Sequence, residues 1–345
     1  MKVLMNSPLS ILSGSTAISD EFKFFTQANI EKLESKFEVV WNTTDRQFTK
    51  DELVERASDV DAIFTCWQSP RIDADVVAAA KKLKLMIHIC GTVKLYVSEA
   101  LYDSGIKVIS ANDRYFSESV AEGTLLYILA SLRRLDKQVR LLSADRADGW
   151  YKVSDARGIL YRTIGIVGFG GVGEHMARLL QPFHCKLKVF DTAELDASVC
   201  AKYNIKCVSM EELFSTCDVI SLHIPHNEQT NHVISGELLS SIKDGALFVN
   251  TSRGGVVDEA ALVKELESGR FSAALDVFEV EPLASESPLY DLENVLIMPH
   301  NAGPSPDLYP HIASNLIDEA YGFLAQGKPL TSEIPKKRAF VMSYY

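Results

Sequence analysis

A chain of 345 residues suggests about two domains, and its 47% apolar content is ample for large cores. The net charge of −11 argues against a nucleic-acid surface, which needs basic patches. The N-terminal residues turn polar too soon for a signal peptide, and no apolar run approaches the roughly 20 residues that cross a bilayer.

In chain order, residues 20–35 read as a helix and 36–41 as a strand. Residues 60–66 read as a buried strand, 73–82 as a helix, 83–90 as a strand and 107–110 as another. From Ser119 to about Leu142, Leu125, Leu126, Ile128, Leu129, Leu132 and Leu135 recur at helical spacing. Ser119 and Glu122 suggest a capping box at its start. A polar segment, 144–157, precedes a second alternating region from Tyr161 to about Pro299, and a helix is expected from Ile312 to Leu324. Strands alternating with helices in both halves predict an α/β protein with two doubly wound parallel sheets. Ligands in such folds lie at the C-terminal strand ends, so substrate is expected in a cleft between the domains.

The second region opens on the most informative stretch. Apolar Ile164, Ile166 and Val167 form a strand. Gly168, Phe169, Gly170, Gly171, Val172 and Gly173 then fill a G-x-G-x-x-G turn, and a helix follows to Leu180. The three patterned glycines permit the tight turn, close approach to a pyrophosphate and helix-on-strand packing. The helix N-terminus offers N–H groups and partial positive charge to phosphates. Residues 186–190 form the next strand, ended by Asp191, which can accept from ribose hydroxyls and would repel a 2′-phosphate. Strand, turn, helix and acid together predict a dinucleotide site that favours NAD over NADP.

Three later strand ends carry reactive groups. Arg253 follows residues 247–250, and either forks onto a carboxylate or makes a surface salt bridge. Asp276 ends a short strand, with Glu281 before Pro282 beyond it. Glu279 reads as part of an acidic surface turn. His300 follows residues 295–298 and Pro299. A lone histidine is commonly structural, but with Glu281 as partner it becomes an acid–base device. The six cysteines contain no C-x-x-C and read as reduced thiols of a cytoplasmic protein. The eight histidines show no ligand spacing: His223 and His226 have Pro225 between them and no completing acid or Cys, so no metal is expected.

Five ordered motifs give this chain a family resemblance. They are residues 168–173, residues 222–225 (Leu-His-Ile-Pro), residues 249–259 around Arg253, residues 275–278 with Glu281 and Pro282, and residues 299–303 (Pro-His-Asn-Ala-Gly). Together they resemble the D-isomer-specific 2-hydroxyacid dehydrogenases over roughly residues 160–305. The resemblance implies reversible hydride transfer between NADH and the carbonyl of a 2-oxo acid. In it Arg253 orients the substrate, His300 donates the proton, and Glu281 favours the protonated histidine. It implies NAD contacts from Gly168, Phe169, Gly170, Gly171, Val172, Gly173, Asp191, His223, Pro225, Thr251, Asp276 and Gly303, with Asp276 holding the nicotinamide carboxamide. It also implies a Rossmann NAD-binding domain over 113–304 and a smaller flavodoxin-like substrate domain over 1–112 plus 305–345. A homodimer is implied, with residues 145–150 and the long helix near its interface.

The substrate loop departs from the family pattern. Gly91, Thr92, Val93 and Lys94 stand where relatives have Gly-x-Gly and an acid. Backbone N–H groups there are expected to receive the substrate carboxylate. Lys94 either meets an anionic substrate or is a solvated lysine, and Trp67 either lines the pocket or is core. The proline-rich residues 304–310 are a further departure. Two alternatives stay open: an NADH-sensing, co-repressor-like binding protein, and a phosphite- or formate-type dehydrogenase. Glu281 argues against formate, where the related enzymes carry Gln.

Overall fold

The computed structural model describes residues 1–12, 24–144, 146, 150 and 155–343, the side chains of 113 and 114 excepted. The chain forms two compact units, Met1–Phe116 with Pro304–Tyr345, and Ser117–Gly303.

The first unit holds a five-stranded parallel sheet. Its strands are β1 (Lys2–Pro8), β2 (Glu38–Asn42), β3 (Ala62–Thr65), β4 (Leu85–His88) and β5 (Lys107–Ser110), in the order β2-β1-β3-β4-β5. That is the flavodoxin-like order, with its switch point between β1 and β3. β3 and β4 are buried along their whole length, as parallel strands covered on both faces must be. One core cluster puts Met5, Phe64, Ile87 and Ile109 against Ile312, Leu316 and Ile317 of the helix Tyr309–Gln326, which returns to this unit. On the other cluster Ile63, Met86 and Val93 pack with Ile334, Ala339 and Met342.

The second unit holds seven parallel strands: β6 (Thr163–Val167), β7 (Lys186–Phe190), β8 (Ile205–Cys207), β9 (Val219–Leu222), β10 (Leu247–Asn250), β11 (Ser272–Leu275) and β12 (Val295–Ile297). Their order, β12-β11-β10-β9-β6-β7-β8, is a Rossmann sheet with its switch point between β6 and β9. The helix Ser117–Leu132 covers one face through Ala121, Ile128 and Leu132, packed with Ile164, Ile166 and Val249.

Several local expectations are corrected. The apolar run from 119 to 142 is two helices, Ser117–Leu132 and Leu135–Ala144, because Arg134 takes a left-handed φ of 55°. Ser119 does not cap the helix. A π-turn, Asn112–Phe116, leads directly into it, and Ser119 lies two residues inside. The helix after the glycine turn begins within the turn itself, at Gly171, and runs to Leu180 as expected. β1 was not expected, since Asn6 and Ser7 interrupt its apolar pattern. Both are buried, and Asn6 Nδ2 donates to Gln47 Oε1 at 2.8 Å and Ser69 Oγ at 2.9 Å. Of residues 145–150, only 146 and 150 lie among the described residues.

Candidate active site

The glycine turn sits at the switch point of the second sheet. Gly168 directly follows β6 with φ +91°, and a Cβ there would lie 2.6 Å from the His223 carbonyl oxygen beyond β9. A Cβ on Gly173 would lie 2.3 Å from the Gly168 oxygen, so helix packs directly on turn. Gly170 faces open space, and the helix Gly171–Leu180 has Gly170 as an N-cap with no side-chain hydrogen bond. Its first N–H groups have no side-chain acceptor from the cap, which suits a pyrophosphate. The residues present therefore fit a dinucleotide.

Around this turn, Phe169 N–H donates to Asp191 Oδ2 at 2.6 Å and Ala193 N–H to Asp191 Oδ1 at 2.8 Å. Asp191 thus ties the turn to the end of β7, a role the sequence did not indicate. His223 Nε2 is 2.9 Å from Ser221 Oγ, and burial pushes its pKa down to about 3, so the ring is neutral. The Pro225 carbonyl accepts from Thr230 Oγ1 at 2.6 Å. Thr251, beyond β10, has its Oγ1 2.7 Å from Thr124 Oγ1 on the helix Ser117–Leu132.

Arg253 is set by an Asn turn. Asn250 Oδ1 accepts from Ser252 N–H at 3.0 Å and Ser252 Oγ at 2.8 Å, and Asn250 Nδ2 donates to the Arg253 carbonyl at 2.9 Å. The Arg253 guanidinium donates to the Ser252 carbonyl at 2.6 Å. A Cβ on Gly254 would lie 1.8 Å from the Phe278 carbonyl carbon, so the Arg253 turn and the turn carrying Glu281 touch backbone to backbone. Burial lowers the Arg253 pKa, partly opposed by the Glu281 charge. A guanidinium remains charged regardless.

Glu281 lies in a turn six residues past β11 rather than on the strand end, before a cis Glu281–Pro282 bond. Its Oε1 accepts the Phe278 N–H at 3.0 Å, and its Oε2 lies 2.6 Å from His300 Nδ1. Burial pushes the Glu281 carboxyl up. The hydrogen bonds from His300 and Phe278 and the charges of His300 and Arg253 outweigh it and hold the carboxyl below its usual value. His300 has a left-handed φ of 54°. Such backbone costs about 1–3 kcal/mol and persists where neighbours enforce it. Here Asp276 does so: its two oxygens accept the N–H groups of Asn301 at 2.9 Å and Ala302 at 3.0 Å. Tyr127 OH donates to Asn301 Oδ1 at 2.6 Å. Gly303 faces open space.

The sequence missed Tyr127, Thr124 and Asn250. Tyr127 carried a signal, a hydroxyl on the apolar stripe of a helix, which needs a partner when buried.

The substrate-loop residues belong to the other unit. Gly91 O accepts from Ser110 Oγ at 2.9 Å, and Thr92 Oγ1 donates to Ser343 O at 2.7 Å. The Val93 side chain is fully buried, and its carbonyl takes the N–H groups of Tyr96 at 2.8 Å and Val97 at 3.2 Å. Lys94 is half-buried, its N–H 3.5 Å from Thr92 Oγ1. Trp67 is 40% exposed, so it is not core. Among the described residues no group of three His, Cys, Asp or Glu is placed to hold a metal, and no helix is long and apolar enough to cross a membrane.

Comparison with known proteins extends the geometry. The family model described as "D-isomer specific 2-hydroxyacid dehydrogenase, NAD binding domain" matches residues 125–302. The chain is 32% identical over 283 residues to a hydroxypyruvate reductase of Thermotoga maritima, covering 81% of this chain and 89% of that protein. It is 33% identical over 310 residues to a glyoxylate reductase of Korarchaeum cryptofilum, covering 86% and 90%. The solved D-mandelate dehydrogenase of Rhodotorula graminis aligns with a TM-score of 0.77 at 25% identity, over 97% of this chain and 98% of that one. The cofactor is NAD. With its glycine turn, its Arg, Glu and His strand-end loops and these relatives, the chain belongs to the D-isomer-specific 2-hydroxyacid dehydrogenase family.

Proposed function

We propose that this protein reduces a 2-oxo acid to the D-2-hydroxy acid, reversibly, with Arg253, Glu281 and His300 as its catalytic residues. The observation that carries the reading is the 2.6 Å contact between His300 Nδ1 and Glu281 Oε2. With Nδ1 turned to the carboxylate, Nε2 is the nitrogen that gives its proton to the substrate carbonyl oxygen. Glu281, ionised because its pKa is held low, stabilises the imidazolium before transfer. Arg253 holds the substrate carboxylate in a two-pronged fork and draws charge from the carbonyl. NAD, when bound, supplies the hydride. The contacts proposed for it are Gly168 to Gly173, Asp191, His223, Pro225, Thr251, Asp276 and Gly303.

The unit Ser117–Gly303 serves the cofactor, and the unit Met1–Phe116 with Pro304–Tyr345 serves the substrate. In the latter the 91–94 loop receives the substrate carboxylate through its N–H groups. A homodimer is supported by exposed Leu126, Leu135, Val139, Leu142 and Trp150, 38–61% accessible on or just after two adjacent helices. The six free cysteines suit the reducing cytoplasm.

The test is NADH oxidation over glyoxylate, hydroxypyruvate, pyruvate and phenylglyoxylate, repeated with NADPH. Turnover of at least one with NADH and D configuration of its product are expected. NADH binding without turnover of any of the four would overturn the reading in favour of a sensor.

A further inference from the structure

The acid–base loop is held from outside as well as through its own residues. The helix Ser117–Leu132 lies against residues 300–303 at two points one turn apart. At the first, a Cβ on Gly123 would stand 2.7 Å from the Ala302 oxygen and 2.9 Å from its Cα, so helix and loop backbones touch where only glycine leaves room. At the second, Tyr127 is 3% exposed, and its hydroxyl donates to Asn301 Oδ1 at 2.6 Å, with Asp276 Oδ1 at 3.4 Å. Burial and the neighbouring Asp276 charge raise the phenol pKa, which keeps the proton on oxygen and makes Tyr127 a fixed donor.

These contacts act on a strained residue. His300 holds φ 54°, a left-handed conformation that costs an L-residue about 1–2 kcal/mol. The next two residues are pinned by Asp276 on one side and by Gly123 and Tyr127 on the other. Glu281 fixes one ring nitrogen, while the backbone anchors fix where the ring starts from.

From this we infer that Tyr127 is a positioning residue for the acid–base histidine, acting through Asn301, and that Gly123 is the gap that lets the helix do it. The inference rests on the function proposed for His300. It predicts that loss of one hydroxyl, held by Asn301 at 2.6 Å and only at 3.4 Å from Asp276, lowers the chemical step more than it weakens NADH binding. A misplacement of about an ångström can cost up to a hundredfold in rate.

The experiment uses the full chain and whichever 2-oxo acid of the panel it turns over best. Tyr127→Phe, Asn301→Ala, the double variant, Gly123→Ala and His300→Ala are compared by kcat, NADH Kd and the pH profile of kcat/KM. Tyr127→Phe is expected to lower kcat about tenfold, leave NADH Kd within twofold, and alter the pH profile of kcat/KM as the His300–Glu281 contact loosens. The double variant should be no more than twofold worse than the worse single variant, because the two side chains act as one contact. Gly123→Ala, which helix propensity alone would favour by about 1 kcal/mol, should lower kcat as well. If His300→Ala is inactive while Tyr127→Phe keeps kcat and the profile within twofold, the positioning role is overturned and the function stands. If His300→Ala keeps wild-type activity, the proposed function itself falls.

Discussion

Replacing Glu281 by Gln removes the charge and one of the two acceptors that the carboxylate uses, which makes it a direct probe of the acid–base pair. Gln keeps the length of the side chain but has one acceptor oxygen where the carboxylate uses two, Oε1 for the Phe278 N–H at 3.0 Å and Oε2 toward His300 Nδ1 at 2.6 Å. What disappears is the negative charge beside the imidazolium. Two unit charges about 4 Å apart interact by about 1 kcal/mol in water and about 4 kcal/mol near a protein surface. The His300 and Glu281 side chains are 47% and 34% exposed, so the lower end applies. About 1–1.5 kcal/mol corresponds to roughly a tenfold change in rate. Reduction needs the protonated imidazole, so activity falls as pH rises. Without the carboxylate the imidazolium loses its charge partner, and kcat/KM for reduction falls about tenfold. The assay is initial-rate NADH oxidation from pH 5 to 9 at saturating NADH, with folding checked by thermal unfolding. A kcat/KM within twofold of wild type in a folded variant would refute the role given to Glu281.

Arg253→Gln should lower kcat/KM by about 10²–10³, roughly 3–4 kcal/mol of transition-state stabilisation, with NADH Kd nearly unchanged. Activity within a few-fold of wild type would remove Arg253 from catalysis. Asp191→Asn keeps an acceptor for Phe169 N–H but drops the charge, so the ratio of NADPH to NADH use should rise at least tenfold by comparative kinetics. Gly254→Ala places its Cβ 1.8 Å from the Phe278 carbonyl carbon, and should lower both melting temperature and kcat by forcing two turns apart. Burial pushes the Asp218 carboxyl up, but Lys243 at 2.8 Å, the Thr163 N–H at 2.8 Å and the Arg162 charge bring it below its usual 3.8. Its stabilisation is complete above that unfolded value and is lost as pH falls through the lower folded one. Asp218→Asn should therefore cost about 1–2 kcal/mol at pH 7, and in denaturant melts that difference should shrink below about pH 4.

Much of this architecture was legible because parallel sheets impose strong local patterns. Residues 107–110 and 186–190 are strands over the lengths expected, since buried parallel strands are short apolar runs between turn signals. β1 escaped notice because the Asn6 amide nitrogen and the Ser7 hydroxyl find their partners in Gln47 and Ser69, 40 to 63 residues away, which no local window contains. The break at Arg134 was invisible for the opposite reason. The apolar spacing continues through it, and only a left-handed backbone, which arginine does not advertise, separates the helices. At the site, glycines and charged strand ends were readable one by one. What joins them is not: Asn250 and Asp276 spend their polar atoms on backbone, and Tyr127 looks like one more apolar residue on its helix until its hydroxyl meets Asn301.

That division explains why chemistry is easier to read here than substrate. The groups assigned to proton transfer are fixed by carboxylates gripping backbone N–H groups, and such devices need particular residues at particular places. Asp276 must follow β11, Glu281 must reach Phe278, and His300 must sit one residue before Asn301. The 91–94 loop is built differently. Val93 has become core, packed with Ile334, Ala339 and Met342, and Thr92 is tied to the Ser343 carbonyl, so the loop's shape is set by a segment about 240 residues downstream. On the function proposed above, backbone N–H groups of this loop take the substrate carboxylate, and recognition by backbone amides carries no residue code. Selectivity among 2-oxo acids then comes, on that reading, from the side chains around the loop. Thr92→Val, which cuts the tie to Ser343, should therefore change KM differently for glyoxylate and phenylglyoxylate while the pH profile stays in place. A uniform change in KM for both would show that the loop grips the carboxylate alone.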